Sequence, residues 1–530
     1  MKWIFFVTAL FTQIVSAQAM IVEANKPQRI ELHSQQDTFL KINEPGYYRG
    51  FIRSQSHMEH VIAFNSAGDP IKKLLNHEAR ETEIFWYVDQ ADTYRIEMQS
   101  ADTEVSKAEM QLAPMPLKKD QYLSPEVSML SPTLSRTAAD IQGGVKDAEK
   151  KFWQIIESQG APLVEYQLNN KAFVTFLFRG NANNVRLLGA PYGGHAQMSK
   201  IEGSDIWFRS FEVPDSTRLS YRIAPNVPQL ARDTNREQRR AVLATAALDP
   251  LNLEPSFGSD TGIFGSASTL TLKHASSDSV ATEEGNPKGQ LTHFLYQGNS
   301  EAEARQISLY EPNNIYSTTE KSPLLILFDG ESYLDKVPTP LVMDNLIASK
   351  AIPPMRVVFV NPPRPSLRAK ELTPNKAFAD MLANEFIPWL CSTHSICPAA
   401  ENTVLSGSSF GGLASMFIAL EHPQRFGKVL SQSGSFWWQP KAAKSIASDE
   451  RSWMSEVVAS SGKKDIQVYL NAGVFETEPV HASIYQTNKT LFDTLKEKGY
   501  PVTFKSAASG HDYYSWRVLL ADGLTTLFSK

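Results

Sequence analysis

The stretch that decides the fold is Val404-Leu405-Ser406-Gly407-Ser408-Ser409-Phe410-Gly411-Gly412-Leu413. In it, an apolar strand end runs into a serine between glycines, and a helical pattern follows. Ser409 has glycine both two residues before and two residues after it, whereas Ser408 does not. This symmetry is typical of a nucleophile elbow, a sharp strand-to-helix turn that exposes the serine hydroxyl. The backbone N–H of Phe410 would then help to hold an oxyanion. The pentapeptide alone fits a Ser/Gly loop equally well.

The surrounding sequence favours the elbow, because apolar segments alternate with helical patterns around it. The apolar segments lie at residues 324–328, 355–360, 404–405 and 466–470, and a helical pattern covers 377–390. Strands that are apolar throughout are typical of a parallel sheet with helices on both faces. Two further segments, 291–296 and 305–310, predict a hairpin. This order of elements predicts an α/β-hydrolase domain over residues 290–530.

The remaining catalytic groups are expected after the serine, in the order acid then histidine. Of the later histidines, His511 lies in a loop that follows a predicted strand, where a general base can reach the elbow. The acid is expected in the loop 471–479, which carries Glu476 and Glu478. Glu476 is closer to the strand end, while Glu478 is also placed to cap the next helix. The choice stays open, as does a serine–histidine dyad.

A second oxyanion donor is expected in the loop after an earlier strand, where the sequence reads Phe328-Asp329-Gly330-Glu331. The backbone N–H of Gly330 or Glu331 would supply it. The alternative is a tight surface turn without a catalytic role.

The composition is typical of a globular protein of 530 residues. The formal net charge is −5, and a negative charge argues against a nucleic-acid partner. Residues 1–19 have a basic residue, Lys2, near the start, continue through an apolar run and end Ala17-Gln18-Ala19, as a secretory signal peptide does. No later apolar run reaches the roughly eighteen residues of a membrane span, so we expect no stable membrane insertion. An exported, periplasmic protein is the expectation.

The front of the chain predicts two β-rich domains. Short alternating segments over 20–115 predict a small β-sandwich, and a proline-rich linker follows at 116–145. Aromatic and β-branched strands over 146–255 predict an immunoglobulin-like sandwich. A Gly/Ser/Thr-rich stretch at 256–289 reads as a connecting loop. Cys391 and Cys397, six residues apart, would form a disulfide in an oxidising compartment, with two free buried thiols as the alternative.

Several motifs together resemble the enterochelin esterases, within the esterase D-like α/β-hydrolases. They are Phe328-Asp-Gly-Glu331, Arg368-Ala-Lys-Glu-Leu372, Gly407-Ser-Ser-Phe-Gly-Gly412, Leu430-Ser-Gln-Ser-Gly-Ser-Phe-Trp-Trp438 and Gly510-His-Asp512. The resemblance covers about residues 150–530, and the serine-rich motif before the two tryptophans is its most specific part. It implies hydrolysis of the trilactone of a cyclic catecholate siderophore, usually as the ferric complex. Iron would enter only with the substrate, and no cofactor is implied.

Two features depart from that family's pattern. The cytoplasmic members lack a signal peptide and the additional sandwich, so this chain resembles an exported relative. The acid loop reads Glu476-Thr-Glu478-Pro479 where the family has a single Glu before Pro, which leaves the acid open.

A ferric tris-catecholate carries negative charge over aromatic rings, so its site should combine arginine with aromatic side chains. The candidates are Arg368, Trp437, Trp438, Trp516 and Arg517. The alternative for these residues is core packing of the tryptophans and surface ion pairing of the arginines. Alternative functions are a feruloyl or acetyl esterase acting on carbohydrate, a non-catalytic siderophore-binding protein, and an acyltransferase of the same fold.

Overall fold

A computed structural model describes most of the chain. The described residues are 20–22, 28–33, 38–75, 79–100, 107–117, 125–189, 191–192, 195–228, 230, 235–258, 266–298, 304–313, 322–441, 452–477 and 483–529. The predicted signal peptide at 1–19 and the alternative acid Glu478 therefore lie outside the described residues.

The strands and helices are numbered in chain order. In the β-rich front part they are β1 (Met20–Val22), β2 (Gln28–His33), β3 (Thr38–Ile42), β4 (Gly46–Phe64), β5 (Pro70–Leu75), β6 (Ala79–Val88), β7 (Asp92–Ser100), β8 (Lys107–Pro114), α1 (Pro132–Gln142), α2 (Ala148–Gln159), β9 (Leu163–Tyr166), β10 (Lys171–Arg179), β11 (Val185–Leu188), β12 (Ala196–Gln197), β13 (Ser199–Lys200), β14 (Ile206–Pro214), β15 (Arg218–Pro225), α3 (Asn235–Thr245) and β16 (Ser268–Thr271). In the C-terminal part they are β17 (Gln290–Tyr296), β18 (Arg305–Glu311), β19 (Leu324–Phe328), α4 (Gly330–Asp335), α5 (Thr339–Ala348), β20 (Arg356–Val360), α6 (Arg368–Leu372), α7 (Lys376–Met381), α8 (Ile387–His394), β21 (Thr403–Ser408), α9 (Phe410–Glu421), β22 (Lys428–Gln432), α10 (Trp453–Ser460), β23 (Gln467–Gly473), α11 (Ile484–Glu497), β24 (Val502–Ala507) and α12 (Tyr513–Phe528).

The chain divides into two compact units. The first comprises Met1–Tyr122 with Asn226–Thr245, and the second comprises Leu123–Pro225 with Ala246–Lys530. The domain predicted over 146–255 is thus interrupted. Residues of α3 join the first unit because Ala241 packs with the aromatic rings of Tyr47 and Phe85. The polar sequence of α3 gave no sign of this apolar contact.

In the first unit, β1 to β8 form one hydrogen-bonded sheet rather than two separate sheets. The reason is the 19-residue strand β4. Its first half pairs with β6 and β8, and its second half pairs with β5 and β7, with a register shift after Arg53. Both halves contribute to one buried core that contains Ile52 and Val61. The predicted antiparallel pairing is therefore present, but the predicted sandwich of two separate sheets over 20–115 is not, because β4 joins all the strands into one sheet.

The second unit begins with a sandwich of two four-stranded sheets, ordered β13-β14-β10-β9 and β12-β11-β15-β16. Their facing side chains, among them Phe176, Trp207 and Tyr221, form a common buried core. Two predicted boundaries need correction. The predicted linker at 116–145 contains α1, and the predicted connecting loop at 256–289 contributes β16, whose residues pair with β15. We refer below to this domain as the second sandwich.

The hydrolase domain is built on an eight-stranded sheet in the order β17-β18-β20-β19-β21-β22-β23-β24. The predicted hairpin β17–β18 is antiparallel at one edge, and the strands from β20 to β24 are parallel. Successive residues of β19 enter opposite cores: Ile326 belongs to one cluster and Leu325 to the other. Because helices cover both faces, the strands must be apolar throughout. This confirms the predicted α/β-hydrolase fold.

Two further sequence predictions concern this domain and the chain as a whole. Cys391 and Cys397 form a disulfide bond, as predicted. A membrane-crossing helix is not found in the described part of the chain, where every helix is too short or too polar.

Candidate active site

The elbow predicted at Ser409 lies between strand β21 and helix α9. Its backbone has φ 57° and ψ −118°, a conformation that non-glycine residues rarely adopt. The turn is crowded at Gly407 and Gly412, whereas an added Cβ at Gly411 would have its nearest neighbour, Phe328 Cβ, 3.4 Å away. A Cβ at Gly407 would lie 2.9 Å from Gly411 Cα, and a Cβ at Gly412 would lie 2.4 Å from Ser431 Oγ. The strained serine and its glycines therefore form the tight turn that the sequence predicted.

Glu476 and His511 are brought together from the ends of β23 and β24. Glu476 Oε1 lies 2.5 Å from His511 Nδ1, and Glu476 Oε2 accepts a 2.7 Å hydrogen bond from the Gly473 N–H. Because a carboxylate can only accept, Nδ1 carries the proton and Nε2 is left as the basic nitrogen. The Glu476 side chain is 1% exposed and the His511 ring is 38% exposed. This is the geometry of an orienting acid and a solvent-accessible general base.

The histidine is supported from behind by Trp516. The two rings meet edge to face with centroids 4.7 Å apart, and the indole N–H of Trp516 donates to Ser433 Oγ at 2.9 Å. Trp516 is 3% exposed. This burial contradicts its predicted role in binding substrate, because helix α12 turns the indole towards the sheet. Trp516 instead packs against His511, the predicted general base.

Ser435 is a residue that the sequence reasoning did not single out. Its hydroxyl lies 3.1 Å from the Ser409 hydroxyl, and its N–H donates to the Ser409 carbonyl oxygen at 3.0 Å. Its side chain is buried. The signal was available, because Ser435 belongs to the serine-rich motif before the two tryptophans. Ser435 therefore contacts the hydroxyl of the predicted nucleophile.

The two predicted oxyanion donors after β19 are the N–H groups of Gly330 and Glu331, and only the Glu331 N–H has a described acceptor. The Glu331 N–H already donates to Asn361 Oδ1 at 2.9 Å, which contradicts its predicted role as an oxyanion donor. Gly330 remains the candidate, together with Phe410 at the elbow. A Cβ at Gly330 would lie 2.6 Å from Phe359 Cβ, so this loop passes too close to β20 for any larger residue.

Arg368, predicted to bind substrate, is engaged by the preceding loop. Its Nε and one terminal nitrogen donate to the two oxygens of Asp329 at 2.5 and 2.6 Å. Burial disfavours the charged guanidinium, but the Asp329 carboxylate outweighs this effect, and the pKa of Arg368 is raised. The guanidinium also lies 5.8 Å from the centre of the Phe410 ring. Arg368 is thus at the rim of the elbow, and Asp329 fixes its orientation.

The other three predicted substrate-binding residues lie in different surroundings. Trp437 is half-buried, with its ring 6.0 Å from that of Phe410 at the elbow. Trp438 is also half-buried and packs edge to face against Trp453 in the domain core. Arg517 is 16% exposed and pairs with Asp278, which contradicts its predicted role in substrate binding. Of these three, only Trp437 has a described ring contact with Phe410, the residue after Ser409.

Ser409, Glu476 and His511 follow three strands of the same parallel sheet, β21, β23 and β24. Among the described residues, no group of three or more histidine, cysteine, aspartate or glutamate side chains is arranged to hold a metal ion. The chemistry that this arrangement supports is acyl transfer, in which a histidine activates a serine at a helix N-terminus.

Comparisons with known proteins show which families this chain resembles. The model of the Esterase family matches residues 299–527, and that of the family described as Enterochelin esterase, N-terminal, matches residues 173–280. The chain is 27% identical to the iron(III) enterobactin esterase of Dickeya dadantii, over 72% of this chain and 93% of that protein. It is 28% identical to the iron(III) salmochelin esterase of Escherichia coli strain CFT073, over 71% of this chain and 93% of that protein.

A solved structure is similar to this chain in fold. It is the enterobactin esterase of Shigella flexneri, determined in the presence of 2,3-di-hydroxy-N-benzoyl-serine. The chains are 26% identical with a TM-score of 0.53, and the match covers 71% of this chain and 98% of that one.

Proposed function

We propose that this chain, which belongs to the enterochelin esterase family, hydrolyses the ester bonds of a catecholate siderophore such as enterochelin. The observation that carries the proposal is the pairing of Glu476 with His511 at the sheet edge where Ser409 forms the elbow. The relatives named as iron(III) enterobactin and iron(III) salmochelin esterases support the substrate class.

The reaction follows from the positions of the catalytic groups. His511 Nε2 takes the proton of the Ser409 hydroxyl as the oxygen attacks the lactone carbonyl. The negative charge that develops on the carbonyl oxygen is held by the N–H groups of Phe410 and Gly330. His511 then gives the proton to the departing alkoxide, which leaves as a serine hydroxyl of the siderophore. In the second half, His511 takes a proton from water, the water oxygen attacks the acyl group on Ser409, and the carboxylic acid is released as Ser409 regains its proton. Glu476 stabilises the positively charged imidazole in both halves.

The substrate is proposed to be the ferric complex, because a cationic side chain and aromatic rings lie close together beside the elbow. Arg368 and Trp437 both approach the Phe410 ring, so a negatively charged aromatic ligand there meets charge and ring surface together. Iron would arrive only as part of this substrate, and no resident cofactor takes part in the proposed steps.

The proposed location is the periplasm. The signal-like segment 1–19 would direct export, and the bond between Cys391 and Cys397 is of a kind that persists in oxidising compartments.

Product analysis tests the proposal. The full-length protein is incubated with the cyclic trilactone, with and without iron, and the products are identified by mass spectrometry. We expect linear trimer, dimer and monomer, with the ferric complex consumed at least as fast as the free ligand, and no turnover by Ser409→Ala. If the trilactone stays intact while a feruloyl sugar ester is cleaved rapidly, the proposal is wrong and the chain is a carbohydrate esterase.

A further inference from the structure

We propose that Asp512, held by Ser220 of the second sandwich, is a positioning residue for His511, so that this sandwich is a structural part of the active site. The inference rests on the proposed function in taking His511 as the general base. It goes beyond that function by assigning a catalytic consequence to contacts that lie outside the hydrolase domain.

The carboxylate of Asp512 gathers donors from both domains. Its Oδ2 accepts from the Ser220 N–H, and its Oδ1 accepts from the Ser220 hydroxyl at 2.9 Å. Oδ1 also accepts from the Tyr514 N–H at 2.9 Å, which caps the first turn of α12. Asp512 directly follows His511 in the chain. Its contacts therefore fix the peptide from which the catalytic imidazole projects.

Strand β15 holds the same loop on both sides of the histidine. The Arg218 N–H donates to the Ala508 carbonyl oxygen at 3.0 Å, three residues before His511. The Arg218 carbonyl oxygen accepts from the Ser515 hydroxyl at 2.7 Å, four residues after it. The Arg218 side chain also donates to the Tyr514 carbonyl oxygen at 3.0 Å. The histidine loop is thus attached to the sandwich at its beginning, middle and end.

The acid loop is attached to the same domain by a different interaction. Phe475 packs against the buried core of the second sandwich, and the next residue is the catalytic Glu476. The Phe475 N–H donates to the Ser509 carbonyl oxygen at 3.1 Å, which joins the acid loop to the histidine loop. Each partner of the acid–base pair therefore has a sequence neighbour fixed by the sandwich, whereas Ser409 is fixed by β21 and α9.

This arrangement has a kinetic consequence, because loops after strands are the more mobile parts of a domain. A displacement of about 1 Å in a catalytic group can reduce a rate by about 10²-fold. Loosening Asp512 should therefore slow proton transfer without weakening the binding of a small ester. If the contact between Asp512 and Ser220 only joined the two domains, variants without it would have a lower melting temperature, and their folded molecules would keep the wild-type turnover number.

The experiment compares full-length variants Ser220→Ala, Asp512→Asn, Asp512→Ala and the double variant Ser220→Ala with Asp512→Ala. Ser204→Ala is the matched control, because that hydroxyl also belongs to the second sandwich and donates to the Ile201 carbonyl oxygen at 2.9 Å. The measurements are kcat and KM for 4-nitrophenyl acetate, the rate of phosphonylation of Ser409 by a fluorophosphonate, and the melting temperature. Turnover is expressed per molecule of folded enzyme.

We expect Asp512→Ala to reduce both kcat and the phosphonylation rate by about 30- to 100-fold, with KM within about twofold. Ser220→Ala keeps the backbone donor, so its loss should be about three- to tenfold, and Asp512→Asn, which keeps an acceptor, should recover part of the activity. The double variant should resemble Asp512→Ala alone, because the two groups act through one contact. Ser204→Ala should match the wild type.

Wild-type kcat and phosphonylation rates in both Ser220→Ala and Asp512→Asn would overturn the inference, even if Asp512→Ala failed to fold. Strictly additive losses in the double variant would also overturn it. Neither probe is a siderophore, so failure of the proposed substrate would leave these results standing. A wild-type protein that reacts with neither probe would overturn His511 as the base and both proposals with it.

Discussion

Replacing Glu476 by glutamine is the most informative change at the acid–base pair, because the structure shows two donors converging on this carboxylate. Oε1 receives the His511 Nδ1–H and Oε2 receives the Gly473 N–H. A carboxamide has one acceptor oxygen and one NH₂ group, so it can satisfy only one of these donors. The substitution keeps the size of the side chain and removes both the charge and one acceptor.

The size of the effect depends on which way the amide turns. If its oxygen faces His511, the tautomer is kept, and the loss of charge should cost about 10² in kcat, or about 2.7 kcal/mol. If its oxygen faces Gly473, the NH₂ group forces the proton onto Nε2, and the loss should approach the roughly 10⁴ known for an orienting acid turned to amide, about 5.4 kcal/mol. In the first orientation the Gly473 N–H is left without an acceptor, which should also reduce the free energy of unfolding by about 1–3 kcal/mol.

The assay is steady-state hydrolysis of 4-nitrophenyl acetate and of the trilactone, with thermal unfolding measured on the same samples. Glu497→Gln on the exposed face of α11 is the control and should behave as the wild type. Glu478→Gln, in the same loop, should cost far less than Glu476→Gln. A Glu476→Gln enzyme with kcat within about threefold of the wild type would refute Glu476 as the orienting acid. A large loss of kcat in Glu478→Gln alone would show that Glu478 is the acid.

The other predictions concern the nucleophile's neighbour, the rim and the disulfide. Ser435→Ala should lower kcat by about tenfold with little change in the melting temperature, because a hydroxyl that contacts the attacking oxygen is lost, and an unchanged kcat would remove Ser435 from the site. Arg368→Ala should lower kcat for small esters and raise KM for the ferric substrate, because Asp329 loses its bidentate partner beside the oxyanion loop. Wild-type kcat and KM for both substrates in this variant would contradict the prediction. Replacing Cys391 and Cys397 together by serine should cost about 2–3 kcal/mol of stability while small-ester turnover stays nearly intact, as measured by chemical unfolding. Two alkylatable thiols in the folded wild type would show that the bridge does not form in solution.

Local sequence was enough to predict the hydrolase core and the elbow. Strands buried on both faces leave continuous apolar runs, and the tight turn at Ser409 leaves glycines at fixed distances. His511 was chosen from chain order and from its position after a strand, and the structure places its Nδ1 2.5 Å from Glu476 Oε1. These features depend on residues that are close together in the sequence, so their patterns can be read without the structure.

Features that depend on distant partners could not be predicted in this way. Trp516 and Arg517 are adjacent on α12, and only the packing of that helix shows that one supports His511 and the other pairs with Asp278. The same holds for Asp512, whose partner Ser220 lies 292 residues away in the chain. The Glu331 N–H was predicted to be available because the sequence does not reveal that Asn361 would accept from it.

The central claim is that Ser409 carries the acyl group of a siderophore ester during turnover. The most direct measurement mixes the enzyme with the ferric trilactone, stops the reaction with acid within the first turnover, and maps the added mass by peptide mass spectrometry. We predict an acyl group built of dihydroxybenzoyl-serine units on the peptide that contains Ser409, and none in Ser409→Ala. Cleavage of the trilactone without any acyl group on Ser409, or with the group on another residue, would contradict the account.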